Sequence, residues 1–200
     1  MVSKQAEHIQ LIWEKFREGD KEAFAEIYNA FVDDLFRYGT KLCPDEGIVK
    51  DSIQEVFLDL FMTREKNNAR PENIKFYLLL ALKRNLIRKL KKNRKSEKRD
   101  SFESSLFEAQ YSFEEELIRD ESNKELWDKV NQAIAQLPPK QKEAVYLHFN
   151  QSMEYEKISR ILDISIESVR KQVYRALKTV RESLEDKGLL LFTLLLKNRQ

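Results

Sequence analysis

The chain has 200 residues, 36 basic against 34 acidic, for a formal net charge of +2, with 42% hydrophobic and 35% charged side chains. This suits a globular chain of one domain or two small ones, and four Gly and four Pro disfavour a β-rich fold built on many tight turns. The single cysteine, Cys43, excludes an intramolecular disulfide and fits a reducing cytoplasm.

The N-terminus, MVSKQAEHIQ, lacks the apolar stretch of a secretion signal, so a cytoplasmic protein is expected. Ile9, Ile12, Trp13 and Phe16 then share one helical face, and Gly19 ends that pattern. Asp20 can cap a second helix, in which Phe24, Ile27, Tyr28, Phe31, Leu35, Tyr38 and Leu42 recur every three or four residues. Pro44 closes it. A third helix turns Val49, Ile53, Val56, Phe57 and Leu60 inward. TREKNNARPEN, 63–73, is a loop by composition, and Pro71 opens a fourth helix. Its first half is apolar nearly all round and should be deeply buried; its second half, KRNLIRKLKKNRK, is a basic amphipath. Together these four helices predict a domain over 1–95.

Charge is distributed in blocks. Residues 1–60 hold 7 basic and 13 acidic side chains, 83–99 hold 10 basic and one acidic, and 101–121 hold one basic and 7 acidic. Blocks of alternating sign suggest separate surfaces with separate partners. Residues 96–121 are predicted to be a flexible acidic linker; 96–112 in particular show no sustained period. Ser112 and Glu115 fit a capping box for the next helix, whose stripe is Leu126, Trp127, Val130, Ile134 and Leu137. Pro138 and Pro139 stop it and can start another. Helices at about 140–150, 154–162 and 166–186 complete a second domain over 122–186.

Within that domain, Ile158, Ile161 and Leu162 end a short helix, Asp163-Ile164-Ser165 makes a three-residue turn, and Ser165 can cap the helix that follows. Val169, Val173, Ala176, Leu177, Val180 and Leu184 form its inner stripe. This fits a helix-turn-helix whose second helix enters the major groove. Asp163 stands where Gly is frequent, but Asp tolerates the left-handed conformation. The outer face presents Glu167, Ser168, Arg170, Lys171, Gln172, Tyr174, Arg175 and Lys178, which can reach base edges and phosphates. Taken alone, the stretch fits a DNA reader and a surface helix with a solvated basic side equally well. Residues 187–200 form an apolar tail; its run LLLFTLLL, 189–196, is far short of the roughly 20 residues a membrane span needs. It fits a helix extension over the second domain, or a hydrophobic handle for a partner.

LPPKQ, YEKISRIL and SIESVRKQVYRALK occur in the order of region 4 of extracytoplasmic-function sigma factors, the compact group of the sigma-70 family, and the stretch resembles that region. The first domain resembles region 2: DSIQEVFLDLF, 51–61, is close to the family's polymerase-binding signature, and FYLLLALKRNLIRKLKKNRK, 76–95, matches its promoter-melting helix. The resemblance covers nearly all of 20–184. Two departures stand out in the melting helix: Lys89 and Leu90 sit where an acidic and an aromatic residue are usual, and the frequent Trp is absent.

The resemblance implies an all-α protein of two small helical domains that binds core RNA polymerase and promoter DNA. It assigns Asp51, Gln54, Glu55 and Phe57 to polymerase binding. The first three lie at i, i+3 and i+4, hence on one face, where carboxylates can pair with a basic partner helix. A solvated acidic face is the alternative for these three, and for Phe57 the spacing favours the core over the interface. For the −10 element it implies the loop residues Asn67, Asn68, Arg70 and Asn73, where a base extruded from the stack could be held. The basic run adds Lys83, Arg84, Asn85, Arg88, Lys89, Lys91 and Lys92, which can release counterions from phosphates. For the −35 element it implies the outer face of the last helix and its cap, Ser165. It also implies a linker that threads into polymerase, with Phe102, Phe107, Tyr111 and Phe113 as potential anchors; a plain tether fits these residues as well. An anti-sigma factor is a candidate partner.

His8, His148 and Cys43 show no metal-ligand spacing, and no Gly-rich phosphate loop or catalytic carboxylate pattern appears. No enzyme activity, cofactor, metal or membrane insertion is expected. A helical adaptor or antagonist that keeps the fold without reading DNA is the competing reading, against which both basic surfaces argue. An ordinary helix-turn-helix repressor is disfavoured by DSIQEVF and by the lack of a ligand domain.

Overall fold

The computed structural model describes residues 4–66, 74–93, 107 and 129–183, and all regular structure among them is helical. The chain divides into two compact units, Met1–Lys98 and Arg99–Gln200.

The first unit holds α1 (Lys4–Arg17), α2 (Lys21–Leu42), α3 (Glu46–Met62) and α4 (Ile74–Asn93). Gly19 turns the chain between α1 and α2 at φ 95°, a conformation in which a side chain would be strained. Asp20 then caps α2: its carboxylate accepts from the backbone N–H of Glu22 at 2.8 Å and of Ala23 at 3.2 Å. Asp45 caps α3 in the same way through Ile48 N–H at 3.1 Å. Helix α2 packs against α1, α3 and α4, and α3 packs against α4. Gly39 makes one of these approaches possible, since a Cβ there would lie 2.6 Å from Cγ1 of Val49 on α3. Leu35, Tyr38, Leu60, Leu78, Leu79, Leu82 and Leu86 fill the core, all at most 1% exposed. An aromatic cluster closes the α1 side, with ring centroids of Phe16 and Phe24 5.7 Å apart and of Phe24 and Phe61 5.1 Å apart.

The second unit holds α5 (129–135), α6 (Pro139–Val145), α7 (Tyr155–Leu162) and α8 (Ile166–Ser183). Pro139 starts α6 at its first turn, as the sequence predicts. The stretch expected to continue as one helix to 150 widens instead into a π-helical turn, Tyr146–Asn150, closed by Gln151 N–H donating to Tyr146 O at 3.2 Å. The Gln151 side-chain amide, itself buried, donates to the Tyr146 hydroxyl at 3.1 Å, which ties the two ends of the widened turn. His148 Nδ1 lies 2.9 Å from the Met153 carbonyl, which can only accept, so this nitrogen carries the proton.

Phe107 joins this unit. It is 2% exposed, and its ring centroid lies 5.9 Å from that of Tyr146. A residue expected in the linker, as an anchor on polymerase or as part of a plain tether, is a core residue of the second unit.

Candidate nucleic-acid interface

Asp163 adopts φ 52° and ψ 49° and ends α7, with Ile164 N–H donating back to Ser159 O at 3.1 Å. Two residues later Ser165 Oγ accepts from Ser168 N–H at 3.1 Å and lies 2.9 Å from Ser168 Oγ. The turn is thus fixed at both ends, by a left-handed cap and by a side-chain cap. Val169, Val173, Ala176 and Val180 are buried and hold α8 against α6 and α7. This is the arrangement of a helix-turn-helix, with the recognition helix anchored along one stripe.

The opposite face is polar and open. Glu167, Arg170, Lys171, Tyr174, Arg175 and Lys178 are exposed, while Ser168 and Gln172 are half-buried. Ser165 and Ser168 are engaged in capping each other. Lys171 pairs with Glu167 at 2.7 Å and Lys178 with Glu182 at 3.7 Å, both within α8. Tyr174, 69% exposed, stands out from this basic face. Ile166 is also exposed, at 40%. Sequence spacing puts it three residues before Val169, in register with the core stripe; as the first residue of the helix it opens to solvent instead.

In the first unit, the outer face of α3 presents Asp51, Gln54 and Glu55, as expected from their spacing. Leu58 and Met62 extend that face and are 61% and 71% exposed. Sequence reasoning missed both, although they follow Gln54 and Leu58 at i+4 outside the inward set. Phe57 is corrected: it is 3% exposed, its ring 4.7 Å from Tyr28, and it supports α3 from within rather than facing a partner.

Lys83 is corrected as well. It is only 8% exposed, because it lies four residues after Leu79 and three before Leu86 on the buried side of α4. Arg84, Arg88 and Lys92 are exposed, and Asn85, Lys89 and Lys91 are half-buried. Three of these converge on a single carboxylate of α3. Glu55 accepts from Asn85 Nδ2 at 2.7 Å and from Arg88 at 3.4 Å, and pairs with Lys89 Nζ at 2.9 Å. The hydrogen bonds from Asn85 and Lys89, with the charges of Lys89 and Arg88, hold the Glu55 carboxyl below the usual carboxylate range.

The loop residues Asn67, Asn68, Arg70 and Asn73 lie outside the described residues, as do Ser112, Glu115, Leu126, Trp127, residues 94–99, the linker apart from Phe107, and the 187–200 tail. Among the described residues no group of His, Cys, Asp and Glu could hold a metal, and no helix is long and apolar enough to cross a membrane.

Residues 27–96 match the family pattern of Sigma-70 region 2, and residues 127–180 match that of Sigma-70, region 4. The two matches, 70 and 54 residues, account for 124 of the 200. The chain belongs to the sigma-70 family. It is an RNA polymerase sigma factor of the extracytoplasmic-function group: a protein that binds core polymerase and directs promoter recognition, melting and initiation. It is similar to the ECF RNA polymerase sigma factor BldN of Streptomyces coelicolor, at 24% identity over 197 residues, 92% of this chain and 68% of that relative. Its fold is similar to that of CnrH, solved in complex with the cytosolic domain of CnrY, with a TM-score of 0.55 at 14% identity over 89% of this chain and 97% of CnrH. It is also similar to the sigma factor RpoE of Bartonella quintana, solved with the anti-sigma factor NepR: TM-score 0.53, 17% identity, 82% of this chain and 98% of RpoE. The region 2 match takes in α3 and α4 of this sigma factor, and the region 4 match takes in the turn and nearly all of α8.

Proposed function

We propose that the two units make a two-point promoter grip on polymerase. In the first, domain 1–95, the outer face of α3 docks on core polymerase through Asp51, Gln54 and Glu55, with Leu58 and Met62 as its apolar centre. This mix of a small apolar patch and acidic rim suits a basic helical partner. Arg84, Asn85, Arg88, Lys89, Lys91 and Lys92, with the loop residues Asn67, Asn68, Arg70 and Asn73, engage the −10 element. In the second, domain 122–186, Arg170, Lys171, Tyr174, Arg175 and Lys178 read the −35 element, joined by Glu167, Gln172 and the capping serines. The observation that carries this reading is the strict division of α8 into a valine stripe that anchors it and a basic face left open. Phe107 ties the proposed linker, 96–121, to the second unit.

The protein acts as an initiation factor without catalysis of its own, in the cytoplasm where polymerase works. An anti-sigma factor is its proposed regulator, since CnrH and RpoE were each solved with a protein partner and RpoE's is an anti-sigma factor. Run-off transcription with core polymerase on a genomic promoter library tests the reading. Promoter-dependent transcripts are expected; their absence would overturn it, and binding to core without transcripts would favour an antagonist.

A further inference from the structure

Glu55 lies on two proposed surfaces at once. From α3 it belongs to the docking face, with Asp51 one turn before it. Its carboxylate nevertheless points across to α4 and takes Asn85, Arg88 and Lys89, which lie at i, i+3 and i+4 on one side of that helix. These are three of the side chains assigned to DNA. Asp51, also exposed on the same helix, pairs with no described residue.

The arrangement at Asn85 is one-sided. A carboxylate can only accept, so the Nδ2 group must face Glu55. That leaves Asn85 Oδ1 on the inner side, buried and without a hydrogen-bond partner among the described residues. A buried acceptor left unpaired is unfavourable, and swinging the amide outward would relieve it. The clamp therefore holds Asn85 in a conformation that its own oxygen disfavours, while Lys89 and Arg88 are kept partly neutralised by a fixed negative charge. Lys89 is 25% exposed at the side chain and Glu55 48%, so both remain within reach of a partner.

We infer that Glu55 is a positioning residue that couples polymerase docking to DNA binding: it clamps Asn85, Arg88 and Lys89 in the free chain and yields them when a polymerase cation takes its carboxylate. This rests on the proposed docking face and DNA face, and adds the link between them. One carboxylate cannot serve both partners fully, so docking releases the α4 side chains, and DNA that claims them frees Glu55 for docking. Linkage makes the effect reciprocal.

The test is fluorescence anisotropy of a labelled single-stranded oligonucleotide with the full-length protein, across salt concentrations, with and without saturating core polymerase. Glu55→Gln removes the charge; Asp51→Asn removes an equal charge one turn away and controls for long-range repulsion. In the free protein Glu55→Gln should tighten oligonucleotide binding about threefold to tenfold, as release from two exposed ion pairs implies. Its salt slope should steepen by about 0.7 to 1.4, one to two further phosphates on a single strand. Asp51→Asn should change neither. With core polymerase saturating, wild type and Glu55→Gln should bind alike. Equal binding by wild type and Glu55→Gln in the free protein, or an equal gain from Asp51→Asn, overturns the coupling. The underlying readings fail separately: the docking face if neither variant weakens core binding, the DNA face if Arg88→Ala with Lys89→Ala leaves oligonucleotide binding to the polymerase-bound protein unchanged. Glu55→Ala repeats the test without the amide.

Discussion

Helices α4 and α8 are both amphipathic, both basic on the outside, and both proposed to meet promoter DNA, yet their charges are held in different ways. On α8, Lys171 and Lys178 pair with Glu167 and Glu182 of the same helix, exposed contacts that cost little to exchange for phosphates. On α4, Asn85, Arg88 and Lys89 are held by a carboxylate from another helix, 30 or more residues away in sequence. The recognition surface of the second unit is therefore ready as folded. That of the first is conditional on what Glu55 is doing. By the coupling inferred above, docking acts on DNA binding through the first unit.

The largest expected effect sharpens the contrast by separating the units. Phe107→Ala should cost the second unit roughly 3–5 kcal/mol, the usual range for truncating a fully buried Phe. A thermal melt should show the second unit's transition lowered and that of the first unchanged. A shift in both transitions, or in neither, would contradict the membership of Phe107 in the second core. Next, replacing Arg170, Arg175 and Lys178 together with Ala should weaken upstream promoter binding by the holoenzyme at least about a hundredfold, given about 1–3 kcal/mol for each specific contact. Quantitative footprinting at fixed salt reads this directly.

Gly39→Ala is the counterpart in the first unit. Its new methyl would meet Cγ1 of Val49 at 2.6 Å, and overpacking of this kind costs about 1–3 kcal/mol. The first unit's transition should fall while the second holds.

The smallest effect is one of pH. Burial raises the Asp34 carboxyl, but hydrogen bonds from Lys75 and Arg37, both at 2.8 Å, outweigh it and hold the group below its ordinary 3.8. Glu55 is likewise held below its ordinary 4.5. A group depressed in the fold contributes stability above its ordinary value and loses it as pH falls through the folded one. The first unit should thus lose stability below about pH 4.5, and Lys75→Met should make the loss shallower. A melting temperature flat between pH 5 and 3 would contradict this.

Much of this was legible in the sequence where the information is local. The valine stripe of α8, the caps at Asp20 and Ser165 and the left-handed Asp163 follow from spacing and side-chain chemistry within a few residues. So does the exposure of Asp51, Gln54 and Glu55. What spacing could not show is what depends on a second element. Lys83 is the exception: its spacing from Leu79 and Leu86 marks the buried side of α4, but its charge reads as part of a basic run. Phe57 belongs to the inward set by spacing, and Tyr28 against its ring agrees with that placing rather than with the contact the resemblance implies. Glu55 reads as a docking carboxylate because Asn85 and Lys89 enter from another helix. Phe107 sits in a stretch with no period, so nothing local marks it as core. The widened turn at Tyr146–Asn150 breaks a pattern that reads as continuous helix, and it is held by Gln151 reaching back to Tyr146.

Docking through α3 and −35 reading through α8 are separate functions of separate units, and a crossed measurement on two variants shows it. Core-polymerase affinity and −35 protection should be measured for Asp51→Ala with Gln54→Ala, and for the triple replacement on α8. The first variant should lose core affinity and regain full −35 protection once core is saturating. The second should keep core affinity and lose −35 protection. If either variant loses both properties together, with both units still folded, the two surfaces are not the separate sites assigned to α3 and α8.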